Sequence, residues 1–181
     1  MGNDLTRENE KRQAVYVVID ASSRDKSLAS RFSQELRASI HGMTAKESLV
    51  EALSLCVISF TNSPTLVMPL LPLNRLMGHN LDREMPERKI RFDEGGKRKV
   101  GRALRFVQER IASDQPGECV RPLVFLFTTG ESDDACNEQA LQLSAYARFY
   151  VSGIGATKTE RRVYDNLGTD GSSFSEWKPA L

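Results

Sequence analysis

Residues 15–19 read VYVVI and run directly into Asp20 and the polar stretch DASSRD, residues 20–25. An unbroken run of mostly β-branched apolar residues is typical of a strand that is covered on both faces. Two further runs of this kind, LSLCVISF at 53–60 and LVFLF at 123–127, predict two more buried strands. Strands of this type are expected in a parallel sheet that has helices on both sides.

The segments between these runs carry apolar residues at helical spacing. Residues 28–40 have an apolar residue at every fourth position and predict a helix ending near Gly42, and residues 98–111 keep a similar stripe. Shorter helices are predicted over 138–147 and 159–167, and a further strand over 149–154. Alternation of strands and helices predicts the α/β class with a doubly wound, mostly parallel, Rossmann-like sheet.

The stretch after the second strand predicts one exception to the parallel pattern. Residues 65–73 read TLVMPLLPL and follow residues 53–60 after a short Asn-Ser-Pro turn, which indicates a hairpin. Two prolines in that run favour an antiparallel strand at the sheet edge. Residues 74–96 are expected to form a long surface loop. We expect a charged leader over 1–12 and a single domain over 13–178.

Composition describes an ordinary globular protein and excludes a disordered, collagen-like or coiled-coil chain. The 181 residues include 25 Lys or Arg and 24 Asp or Glu, so that only a local patch could attract nucleic acid or a membrane surface. Three cysteines without CxxC spacing indicate a reducing compartment. The polar N-terminus lacks a secretory signal, and we expect a cytoplasmic protein with no membrane segment.

The ordered motifs VYVVIDASS, LCVISFTN, GGKRKVGRAL, LVFLFTTGESDD and FYVSGIGA resemble the von Willebrand factor A (VWA) family from about residue 14 to 177. VYVVIDAS and the GG-x-x-x-VG-x-AL loop are most similar to the bacterial tellurite-resistance TerY-like branch. The resemblance implies a Rossmann-like sheet with a metal-ion-dependent adhesion site. It also implies that partners bind at the top of the sheet, where a partner carboxylate completes the coordination of the metal.

The resemblance implies an adhesion site that is degenerate in this chain. Asp20 and Ser22 match the family's ligand positions, whereas Arg24, Lys97 and Thr129 stand where the family has Ser, Thr and Asp. An ammonium about 4 Å from a divalent ion costs roughly 8 kcal/mol at an effective dielectric constant near 20. We therefore expect no bound divalent metal and no cofactor, with Lys97 or Arg24 placing a positive charge beside Asp20. The alternative is that Asp20 only caps the following turn and helix.

A basic patch accompanies the vestigial site. Residues 97–105 read KRKVGRALR and hold five basic residues and no acid. The patch predicted from this stretch and its surroundings consists of Lys26, Arg98, Lys99, Arg102 and Arg105. On a helix, three of these arginines would share one face. Either this is a solvated helix face, or it binds an anion or an acidic partner.

Catalytic arrangements are lacking in the sequence, because neither His41 nor His79 lies near a nucleophile in a recognisable pattern. We expect a non-enzymatic protein-interaction module, an adaptor or scaffold that binds an acidic group of a protein partner, as a homo- or hetero-oligomer. The TerY-like resemblance implies a bacterial stress or conflict-system complex with kinase- or phosphatase-like partners. The alternative is a nucleic-acid-binding subunit of a DNA-processing or defence complex that uses the Lys97–Arg105 patch.

Overall fold

One mixed sheet organises the described part of the chain. The computed structural model describes residues 12–22, 26–76, 89–93, 95–114, 120–128, 130, 132–153 and 175–176, with residues 26–31, 153 and 175–176 described by backbone alone. Within these ranges the strands are β1 Gln13–Asp20, β2 Leu53–Phe60, β3 Pro64–Pro72, β4 Leu123–Thr128, β5 Arg148–Gly153 and β6 Ser175–Glu176. Their order across the sheet is β3-β2-β1-β4-β5-β6.

Every neighbouring pair of strands is parallel except β2 and β3, which form the antiparallel hairpin at the edge. The doubly wound, mostly parallel sheet with one antiparallel edge strand is thus confirmed. β1 lies at its centre, and the chain passes from β1 to β2 on one side and later to β4 on the other. Loops at such a switch point of an α/β sheet open a crevice at the carboxyl ends of the strands.

Helices cover both faces of this sheet, as predicted. They are α1 Lys26–Thr44, α2 Glu47–Ala52, α3 Val100–Asp114 and α4 Asn137–Ser144, together with a short 3-10 helix, Leu73–Leu76. None of the helices in the described ranges is both long and apolar enough to cross a bilayer. The sequence analysis did not predict α2, a six-residue helix that leads directly into β2. The helix predicted over 159–167 lies outside the described residues.

The helix predicted to begin at Arg98 begins instead at Val100 and extends to Asp114. The two residues before Val100 are held outside the helix by bonds to other loops, because the Arg98 N–H donates to the Asp133 carboxylate and the Lys99 N–H donates to the Thr61 carbonyl. This late start decides where the Arg98 side chain lies.

Two apolar clusters flank the sheet and account for its unbroken hydrophobic strands. Tyr16 and Val18 of β1 belong to the cluster under α3 and α4. Val17 and Ile19 belong to the cluster under α1, to which Phe32, Leu36 and Ile40 of the predicted helical stripe also contribute. Since β1 is buried on both faces, its last residue is fixed firmly at the carboxyl edge of the sheet.

Candidate functional site

The carboxylate of Asp20, at the end of β1, is the centre of a buried polar cluster. Its side chain is fully buried. Oδ1 accepts hydrogen bonds from the Ser22 N–H at 2.9 Å and the Ser22 hydroxyl at 2.5 Å. Oδ2 accepts from Arg98 Nε at 2.8 Å and lies 3.2 Å from the Thr128 hydroxyl. Both oxygens of a buried charge are therefore hydrogen-bonded, and a guanidinium neutralises it.

Arg98 places a positive charge beside Asp20, so the expectation that Lys97 would supply it is wrong, whereas the expectation for Arg24 stays a prediction. The Lys97 side chain is exposed, and its backbone N–H donates to Asn62 Oδ1 at 3.0 Å. Arg24 lies outside the described residues. Because Arg98 precedes the first turn of α3, its side chain is free of the helix face and reaches over the end of β1.

The Arg98 backbone is held by Asp133 from a loop 35 residues further along the chain. The Arg98 N–H donates to Asp133 Oδ2 at 2.5 Å, and the Asp133 N–H donates to the Arg98 carbonyl at 2.7 Å. Two bonds in opposite directions fix the position of this residue. The guanidinium is thereby placed by backbone contacts as well as by its charge.

Thr128 contributes a hydroxyl to the site. The family resemblance had pointed instead to its neighbour in the chain. Thr129 was matched to the family's second Asp position, but it lies outside the described residues. Thr128 is fully buried, and its hydroxyl lies 3.0 Å from the Gly130 carbonyl as well as near Asp20. The parallel register between β1 and β4 pairs Ile19 with Phe127, which places the next residues of the two strands side by side. That register is the signal that could have identified Thr128.

The loop before α3 is packed tightly against the end of β2. A Cβ on Gly96 would lie 2.8 Å from the Thr61 Cβ, closer than side-chain atoms approach one another. The Lys99 N–H donates to the Thr61 carbonyl at 3.1 Å, and the Gly95 N–H donates to Asp93 Oδ1 at 3.0 Å. Gly96 is therefore required for the close approach that carries Lys97 and Arg98 to the carboxyl edge of the sheet.

The acidic loop after β4 caps α3, which precedes it in the chain, rather than the helix that follows it. Asp134 accepts the Gly101 N–H on Oδ1 at 2.9 Å and the Arg102 N–H on Oδ2 at 3.1 Å. At α4, by contrast, the N-cap residue is Cys136, which makes no side-chain capping bond. The unpaired N–H groups and positive dipole end of α3 attract these carboxylates.

The predicted basic patch does not form one arginine face. Arg98 is turned to Asp20, and Lys99 Nζ donates to the Asp133 carbonyl at 2.9 Å. Arg102 and Arg105 are exposed on α3, where Arg102 also donates to the Asn62 carbonyl at 3.1 Å. The side chain of the fifth member, Lys26, is not described.

The resemblance to the VWA family implies a metal site at this edge, and the described residues do not fit one. Asp20 holds a guanidinium at 2.8 Å where a cation would bind. The electrostatic repulsion between that guanidinium and a divalent metal about 4 Å away would be roughly 8 kcal/mol at an effective dielectric constant near 20. Within the described ranges, no group of three His, Cys, Asp or Glu side chains is placed to hold a metal ion.

A second buried polar cluster lies away from this edge, near the end of α3. The Tyr16 hydroxyl donates to Asp114 Oδ2 at 3.1 Å, and Arg110 pairs with the other oxygen of that carboxylate. Burial raises the pKa of Asp114 and of the Tyr16 hydroxyl. Burial also raises the pKa of the nearby Cys56 thiol, which disfavours the reactive thiolate. This cluster joins β1 to α3 and belongs to the core.

Solved structures resemble this fold at low sequence identity. Proximal thread matrix protein 1 from the mussel byssus is 17% identical with a TM-score of 0.70, over 93% of this chain and 44% of its own. Another structure of that protein has a zinc-occupied MIDAS motif. BatB from Bacteroides thetaiotaomicron is 13% identical with a TM-score of 0.65, over 93% of this chain and 91% of its own. Manganese-loaded TRAP from Plasmodium vivax is 16% identical with a TM-score of 0.63, over 93% and 69%.

These likenesses show the fold, and the family follows from the sequence itself. The chain spans less than half the length of the mussel protein. No curated protein sequence matches it. Residues 14–176 match the model of the von Willebrand factor type A domain, and this match covers most of the chain. The chain therefore belongs to the von Willebrand factor type A domain family, whose domains commonly serve as protein-interaction modules.

Proposed function

We propose that this VWA domain is a metal-independent, non-enzymatic protein-interaction module that acts as an adaptor or scaffold. The observation that carries the proposal is the 2.8 Å contact between Arg98 Nε and the buried Asp20 carboxylate. Among proteins of similar fold, the mussel protein has zinc in its MIDAS motif and the Plasmodium protein is loaded with manganese. In this chain the arginine supplies the positive charge, and the degenerate adhesion site needs no ion.

The partner we propose carries an acidic group. Lys97 is exposed at the carboxyl edge of the sheet, and its backbone is held by Asn62, so that its ammonium group starts from a fixed position. Arg102 and Arg105 add exposed positive charge on the adjoining helix. Exposed ion pairs contribute only about 0–1 kcal/mol each, so charge sets the orientation of the partner and shape complementarity must provide most of the affinity.

The cellular setting we propose rests on the TerY-like motifs. VYVVIDAS and the GG-x-x-x-VG-x-AL loop support a role in a cytoplasmic bacterial stress or conflict-system complex with kinase- or phosphatase-like partners. The cysteines in the described residues, Cys56 and Cys136, are buried, and burial raises the pKa of both thiols. These features favour an adaptor over an enzyme that uses a cysteine nucleophile.

Nucleic-acid binding by the Lys97–Arg105 patch has less support. Arg98 is paired with Asp20, and Lys99 is bonded to the Asp133 carbonyl. Within residues 97–105 this leaves three exposed cations, Lys97, Arg102 and Arg105, of the five that the sequence contains. An acidic protein partner needs only a few of them.

The proposal is tested by affinity capture from cells that express the tagged chain, in buffers containing either EDTA or Mg²⁺. We expect the same partner in both buffers, because no ion takes part in the contact. Lys97→Glu should lose that partner, whereas Arg148→Glu at the opposite edge of the sheet should retain it. Capture that requires Mg²⁺, or that survives Lys97→Glu unchanged, would contradict the proposal.

A further inference from the structure

A polar cavity of about 290 Å³ lies beside the Asp20 site, at the carboxyl end of β2. Its polar lining consists of four hydroxyl residues and two cationic residues: Ser59, Thr61, Ser63, Thr65, Lys89 and Arg91. Ala21 forms part of the wall, so the cavity is a neighbour of the Asp20 cluster but shares no polar residue with it. Within the described lining, every charged side chain is positive.

Ser59 lines this cavity and carries a hydroxyl without a hydrogen-bond partner among the described residues. Ser59 as a whole is only 6% exposed. The hydroxyl makes no hydrogen bond with any group in the described part of the chain. The hydroxyl is therefore available to donate a hydrogen bond to a ligand in the cavity. Thr65 pairs with Ser59 in the antiparallel register of β2 and β3, so both side chains project from the same face of the sheet.

The cationic side of the cavity is anchored to the core. Arg91 and Lys89 flank Ile90, which is only 7% exposed and belongs to the apolar cluster under α1. Two residues later, the Asp93 N–H donates to the Ala21 carbonyl at 2.8 Å. The Arg91 guanidinium is exposed and forms no ion pair or hydrogen bond within the described residues. A positioned backbone thus presents this charge to the cavity.

The chemistry of the lining selects an oxyanion. Hydroxyl, guanidinium and ammonium groups all donate hydrogen bonds, and arginine binds phosphate through two parallel bonds. A phosphomonoester carries about 1.5 to 2 negative charges at neutral pH, with which the Arg91 guanidinium can form a charge-assisted pair. The volume, below that of ordinary sites for drug-sized ligands, suits a single phosphoryl group with a short substituent.

We propose that the cavity between β2, β3 and residues 89–91 binds the phosphoryl group of a phosphomonoester. Ser59 and Thr65 donate to its oxygens from the sheet, and Arg91 pairs with its charge from the facing segment. This site stands independently of the proposed adaptor function, because none of its polar residues belongs to the Asp20 cluster.

The test is a titration of the ¹⁵N-labelled chain with inorganic phosphate at constant ionic strength, with chloride as the exchanged anion. We expect saturable amide shifts confined to residues 59–65 and 89–91. Arg91→Met should weaken binding by about tenfold or more, since it removes a charge-assisted bond. Ser59→Ala should weaken it by about threefold or more. The matched control Arg148→Met removes the same charge at the opposite edge and should bind like the original chain.

Two further probes identify the source of the phosphoryl group. If a phosphoserine peptide binds at least about tenfold more tightly than O-phosphoserine, the site belongs to a phosphorylated protein partner. If the two bind with equal affinity, the site belongs to a small phosphomonoester. The proposal is overturned if phosphate causes no saturable shifts that chloride does not also cause. It is equally overturned if Arg91→Met binds phosphate as tightly as Arg148→Met does.

Discussion

Replacing Arg98 by Met removes the charge that balances Asp20 and leaves most of the aliphatic volume in place. The Asp20 side chain is fully buried, and that of Arg98 is 24% exposed. After the substitution the carboxylate still accepts hydrogen bonds from the N–H and hydroxyl of Ser22 and from the hydroxyl of Thr128. We expect a large loss of stability, because a buried charge without a counter-charge is costly.

The magnitude follows from this geometry. Breaking a buried ion pair by deleting one partner costs about 3–5 kcal/mol. We expect a loss near the lower end of this range, at about 3 kcal/mol, because hydroxyl and N–H donors remain at Asp20 and because Arg98 is partly exposed. For a chain of this size such a loss lowers the melting temperature by about 6–12 °C. With a urea dependence of about 2 kcal/mol/M, the unfolding midpoint falls by about 1.5 M.

The assay is urea unfolding of a double-mutant cycle formed by Arg98→Met, Asp20→Asn and the double variant. The sum of the stability losses in the two single variants should exceed the loss in the double variant by about 2 kcal/mol, because the double variant buries no unpaired charge. Arg148→Met, an exposed arginine, is the control and should change stability by about 0.5 kcal/mol or less. A loss below about 1 kcal/mol for Arg98→Met, with additive effects in the cycle, would show that Arg98 does not stabilise the buried Asp20 carboxylate.

Three other substitutions test the loops and the buried cluster by urea unfolding. Gly101→Ala should destabilise the chain by about 1–3 kcal/mol, because the new Cβ would lie 2.1 Å from the Ala135 carbonyl oxygen. The control Gly42→Ala should stabilise it by up to about 1 kcal/mol, because nothing lies within 4 Å of the new Cβ. Equal effects of the two substitutions would contradict the close packing at Gly101. Asp134→Ala should cost about 1–2 kcal/mol as a lost helix cap, and a neutral result would contradict the capping role. Burial raises the pKa of Asp114 above 3.8, so the folded state binds this proton more tightly than the unfolded state does. The free energy of unfolding should therefore fall as pH rises from about 3.8 through the raised pKa, relative to that of Asp114→Asn. A difference between the two chains that stays flat or rises with pH would contradict this prediction.

The fold could be predicted because its signals are local. Residues 15–19 and 53–60 are apolar without interruption, and such strands are stable only when both faces are covered. The prolines of β3 likewise exclude a central position in the sheet. The helix α2 was missed because six residues carry too little periodicity to distinguish a helix from the approach to a strand.

The candidate site could be predicted only in part. Asp20 and Ser22 were identified because they match the ligand positions of the family's motif at the end of the first strand. The choice of Arg98 among three consecutive basic residues depends on where α3 begins, and that depends on bonds to Asp133, which lies 35 residues away. The cavity cations Lys89 and Arg91 stand in a stretch that reads as an ordinary polar loop. Contacts between distant loops leave no periodic pattern in the sequence.

The central claim is that an arginine takes the place of the metal at the Asp20 site. Calorimetric titration of Mg²⁺ and of Mn²⁺ into the metal-free chain tests it most directly, with thermal melts in EDTA and in each ion as a second readout. We expect no saturable heat and identical melting temperatures. Stoichiometric binding at micromolar concentration, with a gain of about 2.7 kcal/mol in stability at one hundred times the dissociation constant, would contradict it.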